Sequence, residues 1–171
     1  DLLCEKQYIT LHVGLWTFLG IQTEDIRDYQ IHEELASVDI QIFERIASEH
    51  FNGKKRIAVG TTVCRTLESL PYLWKKVSTW VREEFSLEVQ NFWDALETTW
   101  KEDDWIQSET IRKNGTIDFW TAIYITPGFK FQIVDELITN FHLPESSLLV
   151  LISSFLGYDQ TMDIYKHAIA H

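Results

Sequence analysis

The residues best suited to chemistry sit where apolar runs end. "RIAVGTT" (residues 56–62) closes an apolar stretch on Gly60, Thr61 and Thr62, and Arg65 follows one helical turn later. A helix starting there leaves its first N–H groups without internal partners, and with two hydroxyls beside them they suit a phosphate or carboxylate. Arg65 adds a planar fork that can hold such an anion at two points. Threonine capping of an ordinary helix accounts for the same residues without any ligand, so the pattern alone leaves both readings open.

Two histidines occupy similar positions. His12 lies at the end of the alternating "YITLHVG", two residues before Gly14, where a missing side chain permits close backbone approach. His142 lies in "NFHLP", just before Pro144. Imidazole changes charge near neutrality, so each is an acid/base candidate; a hydrogen-bonded structural histidine is the competing reading. Asn140 either orients a substrate or caps the following helix. Glu33 and Glu34, beside His32, are either a general base pair or a charged edge. The six histidines and the two cysteines, Cys4 and Cys64, form no HExxH and no paired CxxC, so neither zinc nor a disulfide framework is expected. Two reduced thiols fit a cytoplasmic protein.

Strands and helices must present these groups. Ile9, Leu11 and Val13 alternate with Tyr8, Thr10 and His12, the period of a half-buried strand. "YQIHEELASV" reads as extended. "DIQIFERIASEHFNG" places Ile40, Phe43, Ile46, Ala47 and Phe51 at helical spacing, with Asp39 as its cap and Asn52-Gly53 as its stop. "RIAVGTT" is a short strand feeding the helix "VCRTLESL". A second unit repeats the grammar: "AIYITPGFKF" as strand and turn, "QIVDELITNF" as helix or strand, a helix opened by Pro144 and closed by Gly157, then a last helix in "QTMDIYKHAIAH". This alternation predicts an α/β layered sheet flanked by helices. Between the two units, residues 71–115 hold five of the seven tryptophans: Trp74, Trp80, Trp93, Trp100 and Trp105. Their spacing predicts an inserted helical hairpin whose aromatic stripe either packs on the main domain or docks a partner or RNA.

Bulk properties narrow the function classes. With 171 residues, 45% hydrophobic and 13% aromatic, the chain is long and apolar enough to fold around one core. A net charge of −11 argues against nonspecific coating of nucleic acid. Basic residues cluster only briefly, in "GKKR", Lys75-Lys76 and Arg112-Lys113. The longest apolar run near the end, Leu148 to Ile152, is far too short for a membrane span, and "DLLCEKQY" lacks the features of a signal peptide. A first residue other than Met suggests a piece of a longer chain.

Taken together, five ordered blocks go further: "TLHVGLWTF", "IHEE", "RIAVGTTVCRTLES", "ITPGFKFQIVDELITNFHLPESSLLVLISSFLG" and "IYKHAI". They resemble the C-terminal half of the large domain in the S-adenosylmethionine:tRNA ribosyltransferase-isomerase family of queuosine biosynthesis. The resemblance covers most of the chain outside residues 71–115, and the "NFHLP" stretch is its most distinctive part. It implies that residues 1–171 are the C-terminal part of a larger, Rossmann-like α/β domain, with residues 71–115 inserted within it, and that an N-terminal half completes the site. It implies transfer of the ribosyl part of S-adenosylmethionine to a 7-aminomethyl-7-deazaguanine base in tRNA, followed by isomerisation to an epoxycyclopentanediol. S-adenosylmethionine is then a consumed substrate, tRNA the acceptor, and neither metal nor membrane is expected.

The same resemblance implies roles. His12 and His142 become the acid/base pair, with Glu34 in reserve. Gly60, Thr61, Thr62 and Arg65 bind the methionine carboxylate, a phosphate or the ribose. Asn140 orients the substrate, and Lys130 meets RNA phosphate. His142 is expected to face a cavity shared with His12 and the turn at 60–62. The chain departs from the family pattern at Trp16 (usually Gly), Gly20 (Pro), Glu33 and Val63 (both Ser), and in the longer connection from Ser69 to Ile117; these are the marks of a divergent paralogue.

Overall fold

The computed structural model describes residues 5–14, 20–98 and 105–171. Cys4, Trp16 and Trp100 lie outside the described residues. In chain order the elements are β1 (Thr10–His12), β2 (Glu34–Asp39), α1 (Ile42–Phe51), β3 (Ile57–Val59), α2 (Thr61–Lys76), α3 (Thr79–Arg82), α4 (Leu87–Ala95), β4 (Ile106–Ile111), β5 (Thr116–Thr121), β6 (Glu136–Ile138), α5 (Ser147–Leu156) and α6 (Tyr158–Ala170).

Side-chain alternation sorts the larger sheet into two faces. Strands β1, β2, β5 and β4 pair antiparallel in that order. The register sets Glu34 opposite Thr121, Ala36 opposite Phe119 and Val38 opposite Ile117, and all six are buried. Ser37, Asp118 and Trp120, one residue out of phase, point to the other face. The β4–β5 hairpin closes through Gly115, at φ 80°, whose N–H donates to Arg112 O at 3.0 Å. A second sheet has only β3 and β6, and these run parallel with Ala58 opposite Leu137. The molecule is thus the mixed α/β arrangement predicted, with sheets flanked by helices.

Helix α2 joins the two sheets. It is buried along most of its length, and its buried side chains include polar ones. Arg65, Glu68 and Ser69 recur at i, i+3 and i+4, which places them on one stripe. Arg65 pairs with Glu34 of β2, and Ser69 Oγ lies 2.8 Å from Thr121 Oγ1 of β5. Glu68 accepts three backbone N–H groups: Gln132 at 3.0 Å, Ile133 at 3.0 Å and Val134 at 2.7 Å. Burial pushes the Glu68 carboxyl up, while those three N–H groups and the Arg56 charge pull it down.

The expected hairpin over residues 71–115 is corrected in two ways. α2 runs through Pro71 to Lys76, so no break falls there; Pro71 merely leaves the Leu67 carbonyl without its helical donor, and the helix is held by buried Leu70, Leu73 and Trp74. Residues 106–111 form a strand of the antiparallel sheet instead of a helix. Of the stripe's described tryptophans, Trp74 and Trp93 are core. Phe43 of α1 meets Trp74 at 5.1 Å and Trp93 at 5.0 Å, both edge-on. Each buried indole finds an acceptor: Trp74 Nε1 donates to Asp94 Oδ1 at 2.9 Å, and Trp93 Nε1 to Phe43 O at 2.8 Å. Trp80 stays exposed.

Two helix starts also differ from expectation. Asp39 sits two residues before the cap of α1, its Oδ1 accepting from Gln41 N at 2.9 Å. Pro144 precedes a turn in which Glu145 has φ 60°, and Ser146, accepting from Leu149 N at 3.2 Å, is the actual cap of α5. Serine captures the helix's free N–H groups, which proline cannot.

The three bonds to Glu68 tie the segment before β6 onto α2. Glu68→Gln turns one acceptor oxygen into a donor facing an N–H. It should lower the free energy of urea unfolding by about 2–3 kcal/mol; an unchanged unfolding midpoint would contradict this role.

Candidate functional site

Parallel pairing brings two of the predicted loops together. β3 and β6 run the same way, so the turn at 60–62 and the loop at 139–142 leave the sheet at the same end. Gly60 N donates to Ile138 O at 2.7 Å, locking one against the other. The crevice beyond the carboxyl ends of parallel strands is where open α/β sheets bind ligands.

Gly60 takes φ 101°, a conformation that side-chain-bearing residues rarely adopt. It caps α2 without any side-chain hydrogen bond, and the first helical bond runs from Cys64 N to Gly60 O at 3.1 Å. Neither Thr61 nor Thr62 therefore caps this helix. Thr61 is buried and Thr62 half-buried in the first turn. Cys64, buried beneath this turn, has its thiol pushed up to about 12 by desolvation, which keeps it unreactive.

His142 is half-buried in the loop after β6. Its Nε2 lies 3.1 Å from Thr139 Oγ1, and its backbone N–H donates to the Tyr165 hydroxyl of α6 at 2.9 Å. Phe141 packs edge-on against Tyr165 at 5.0 Å, so α6 braces the loop from behind. Desolvation lowers the imidazole below its ordinary 6.5. Asn140, between them, is exposed.

Arg65 departs from the anion-clamp role. Its guanidinium pairs with the Glu34 carboxylate, both deeply buried, and Nη2 donates to Ile123 O at 3.4 Å. Glu34 in turn accepts from Gly14 N at 3.4 Å. The fork thus points into the fold, where an opposite charge compensates it. Beside the pair, Tyr29 meets Tyr124 edge-on at 5.5 Å. The Tyr124 hydroxyl is buried without a hydrogen-bond partner, and burial pushes it up to about 12.

His12 does not join this group. On β1 it is exposed and opposite Leu35, on the sheet face away from Glu34 and α2. That face carries its own network: Asp118 accepts from Ser37 Oγ at 2.5 Å and pairs with Arg112. The Ser37 bond, with the charges of Arg112 and His12, holds the Asp118 carboxyl below the usual range. The expectation of one cavity shared by His12, His142 and the 60–62 turn is therefore corrected: the last two lie together, and His12 lies on the opposite face of the antiparallel sheet. Lys130 is exposed and paired with Glu97 at 2.8 Å. Among the described residues, no three His, Cys, Asp or Glu side chains converge to hold a metal ion. None of the helices there is long and apolar enough to cross a membrane.

Residues 3–171 match the model of a protein family described as Queuosine biosynthesis protein. The chain belongs to that family. An S-adenosylmethionine:tRNA ribosyltransferase-isomerase from Halothermothrix orenii is 38% identical over 162 residues, which is 95% of this chain and 37% of that protein. The crystal structure of S-adenosylmethionine tRNA ribosyltransferase from Thermotoga maritima superposes with a TM-score of 0.52 at 26% identity, over 80% of this chain and 35% of that one. The chain therefore spans just over a third of the length of each of these queuosine-family relatives.

Within this queuosine family member, the supporting residues were the ones hardest to see in sequence. Glu68, Thr121 and Tyr165 hold the site loops without standing in them. The only sequence signal was the charged and hydroxyl pair Glu68-Ser69 one turn after Arg65, in a helix otherwise rich in apolar residues. Burial of the His142 ring has a direct readout. Its imidazole, followed by NMR, should titrate with a midpoint below 6.5; a midpoint at or above that value would show the ring to be solvated or paired with an anion.

Proposed function

We propose that this chain forms part of an S-adenosylmethionine:tRNA ribosyltransferase-isomerase of queuosine biosynthesis. S-adenosylmethionine is the ribosyl donor and a 7-aminomethyl-7-deazaguanine base of tRNA the acceptor, with both substrates met in the cytoplasm. Family membership and the name carried by the 38%-identical relative support the reaction. The observation that carries the site is the bond from Gly60 N to Ile138 O, which sets the start of α2 and the His142 loop side by side.

The roles implied by the resemblance are supported by this arrangement as follows. The N–H groups of residues 61 and 62 and the hydroxyls of Thr61 and Thr62 receive an anionic or hydroxyl-bearing part of the donor, its methionine carboxylate or its ribose. Asn140, exposed at the same edge, orients the nucleoside. A carbon next to a sulfonium is acidic enough for a positioned base, and His142, held neutral by burial, is suited to take that proton. Adenine leaves more readily once protonated, and the imidazolium then formed can return a proton. Arg65 and Glu34 act as positioning residues: their pair keeps α2 and its N-terminal turn on the sheet. The remaining wall of the site and the tRNA contacts come from the rest of the family's chain.

A direct test replaces the matched segment of the Halothermothrix orenii protein with this chain and follows adenine release from S-adenosylmethionine in the presence of tRNA. The chimera should release adenine, and His142→Ala should reduce the rate at least tenfold with unchanged melting. A folded chimera without activity, or full activity in His142→Ala, would overturn the assignment.

A further inference from the structure

The imidazole of His142 has two nitrogens, and one of them meets a specific partner. Nε2 lies 3.1 Å from Thr139 Oγ1, three residues earlier in the same loop. The contact spans two anchored points. Gly60 N donates to Ile138 O at 2.7 Å just before Thr139, and the Tyr165 hydroxyl accepts from His142 N at 2.9 Å. Phe141, between them, packs its ring on Tyr165. The backbone is thus held on both sides of the pair, and the hydroxyl and the ring meet across a short, fixed loop. No charge takes part: among the described residues no carboxylate pairs with His142, and desolvation alone moves its titration. A carboxylate in that place would favour the imidazolium, whereas a hydroxyl orients the ring and leaves it neutral.

A hydroxyl can donate to a bare Nε2 or accept from Nε2–H. The two directions have opposite consequences for chemistry. If Thr139 donates, the Nε2 lone pair is engaged and Nδ1 carries the ring's hydrogen, so neither nitrogen is free to take a proton. If Thr139 accepts, Nε2 carries the hydrogen and Nδ1 keeps a free lone pair. Only the second arrangement survives proton uptake unchanged, because both nitrogens of an imidazolium are donors. The bond one nitrogen makes is what decides which nitrogen of a histidine acts.

The geometry points to Thr139 as a positioning residue: its Oγ1 accepts from Nε2–H of His142, which fixes the ring in one tautomer and leaves Nδ1 as the atom that takes the proton. The direction of this bond rests on the proposed role of His142 as the base. In that step the C–H bond next to the sulfonium breaks and its electron pair stays on carbon. The new N–H bond forms at Nδ1, while Nε2–H remains on Thr139. Nothing in this role requires Thr139 to touch the substrate. It acts through the ring it holds.

The test uses the chimera with the Halothermothrix orenii protein, isotope-labelled at its histidine nitrogens, with the His142 signals assigned by their loss in His142→Ala. Above its titration range the ring should show one tautomer, with Nε2 protonated and Nδ1 bare. Thr139→Val keeps the side chain's shape and removes the acceptor. It should speed exchange of the Nε2 proton with water and lower kcat for adenine release about five- to tenfold, with KM within about twofold. Thr139→Ser restores the oxygen and should recover most of kcat and the slow exchange; a threonine that merely shapes the loop would move neither. A hydrogen found on Nδ1 instead of Nε2 would overturn the inference with no variant made, so the outcome does not depend on Thr139→Val folding. An unchanged kcat in a folded Thr139→Val, or no recovery with serine, would overturn it as well. Each of these results, alongside a slow His142→Ala, leaves the base assignment standing and removes only the role of Thr139. Full activity in His142→Ala instead sinks the base, and this inference with it.

Discussion

One buried polar stripe on one helix holds the rest of the molecule in register. Arg65, Glu68 and Ser69 of α2 each reach a different element: β2 through Glu34, the segment before β6 through three backbone N–H groups, and β5 through Thr121. Apolar packing around Phe43, Trp74 and Trp93 supplies the bulk of the burial, but it is nondirectional. The polar contacts are directional, and a buried charge or hydroxyl left without its partner costs several times what an imperfect apolar contact does. A shift of α2 along the sheet would orphan all three at once. The stripe therefore specifies where α2 lies, and its N-terminal turn at 60–62 goes with it.

From that constraint the site follows. α2 begins directly after β3, and Glu68 anchors the chain just before β6, so the two short strands are brought alongside by the same helix. Their shared direction sends both following loops to one end, and Gly60 completes the contact with Ile138. Helix α6 then fixes the second loop through Tyr165. Nothing in this chain of contacts involves His12, which belongs to the outer face with Ser37 and Asp118. Arg65, read from sequence as a ligand clamp, is occupied in holding the frame together.

Much of this was legible in sequence, and the exceptions have physical causes. β2, α1, β3 and the last two helices follow from hydrophobic period, and the ends of α1 and α5 from Asn52-Gly53 and Gly157. The strand β4 was missed because Ile106 and Ile111 bracket polar residues on an edge strand, a pattern that alternation shows poorly. "AIYITPGFKF" keeps its turn but forms no strand; the strand there is β5, which ends at Thr121 just before it. Pro71 misled because proline is usually a boundary, whereas here it sits in a helix buried on nearly every side. The resemblance grouped the 60–62 turn, His142 and His12; the first two leave the β3–β6 sheet at one end, and His12 lies elsewhere. Which partner each polar residue takes, Glu34 for Arg65 or Tyr165 for His142, depends on contacts across many residues, and no local pattern encodes them.

The central claim is that the turn at 60–62 and the loop at 139–142 form one wall of a nucleoside-donor site, and hydrogen exchange tests it most directly. In the full-length chimera, saturating S-adenosylmethionine should slow exchange together at the amides of residues 61–63 and 139–142, leaving β1 around His12 unchanged. Protection confined to β1 and the outer face of the antiparallel sheet, with none at these two loops, would contradict the account.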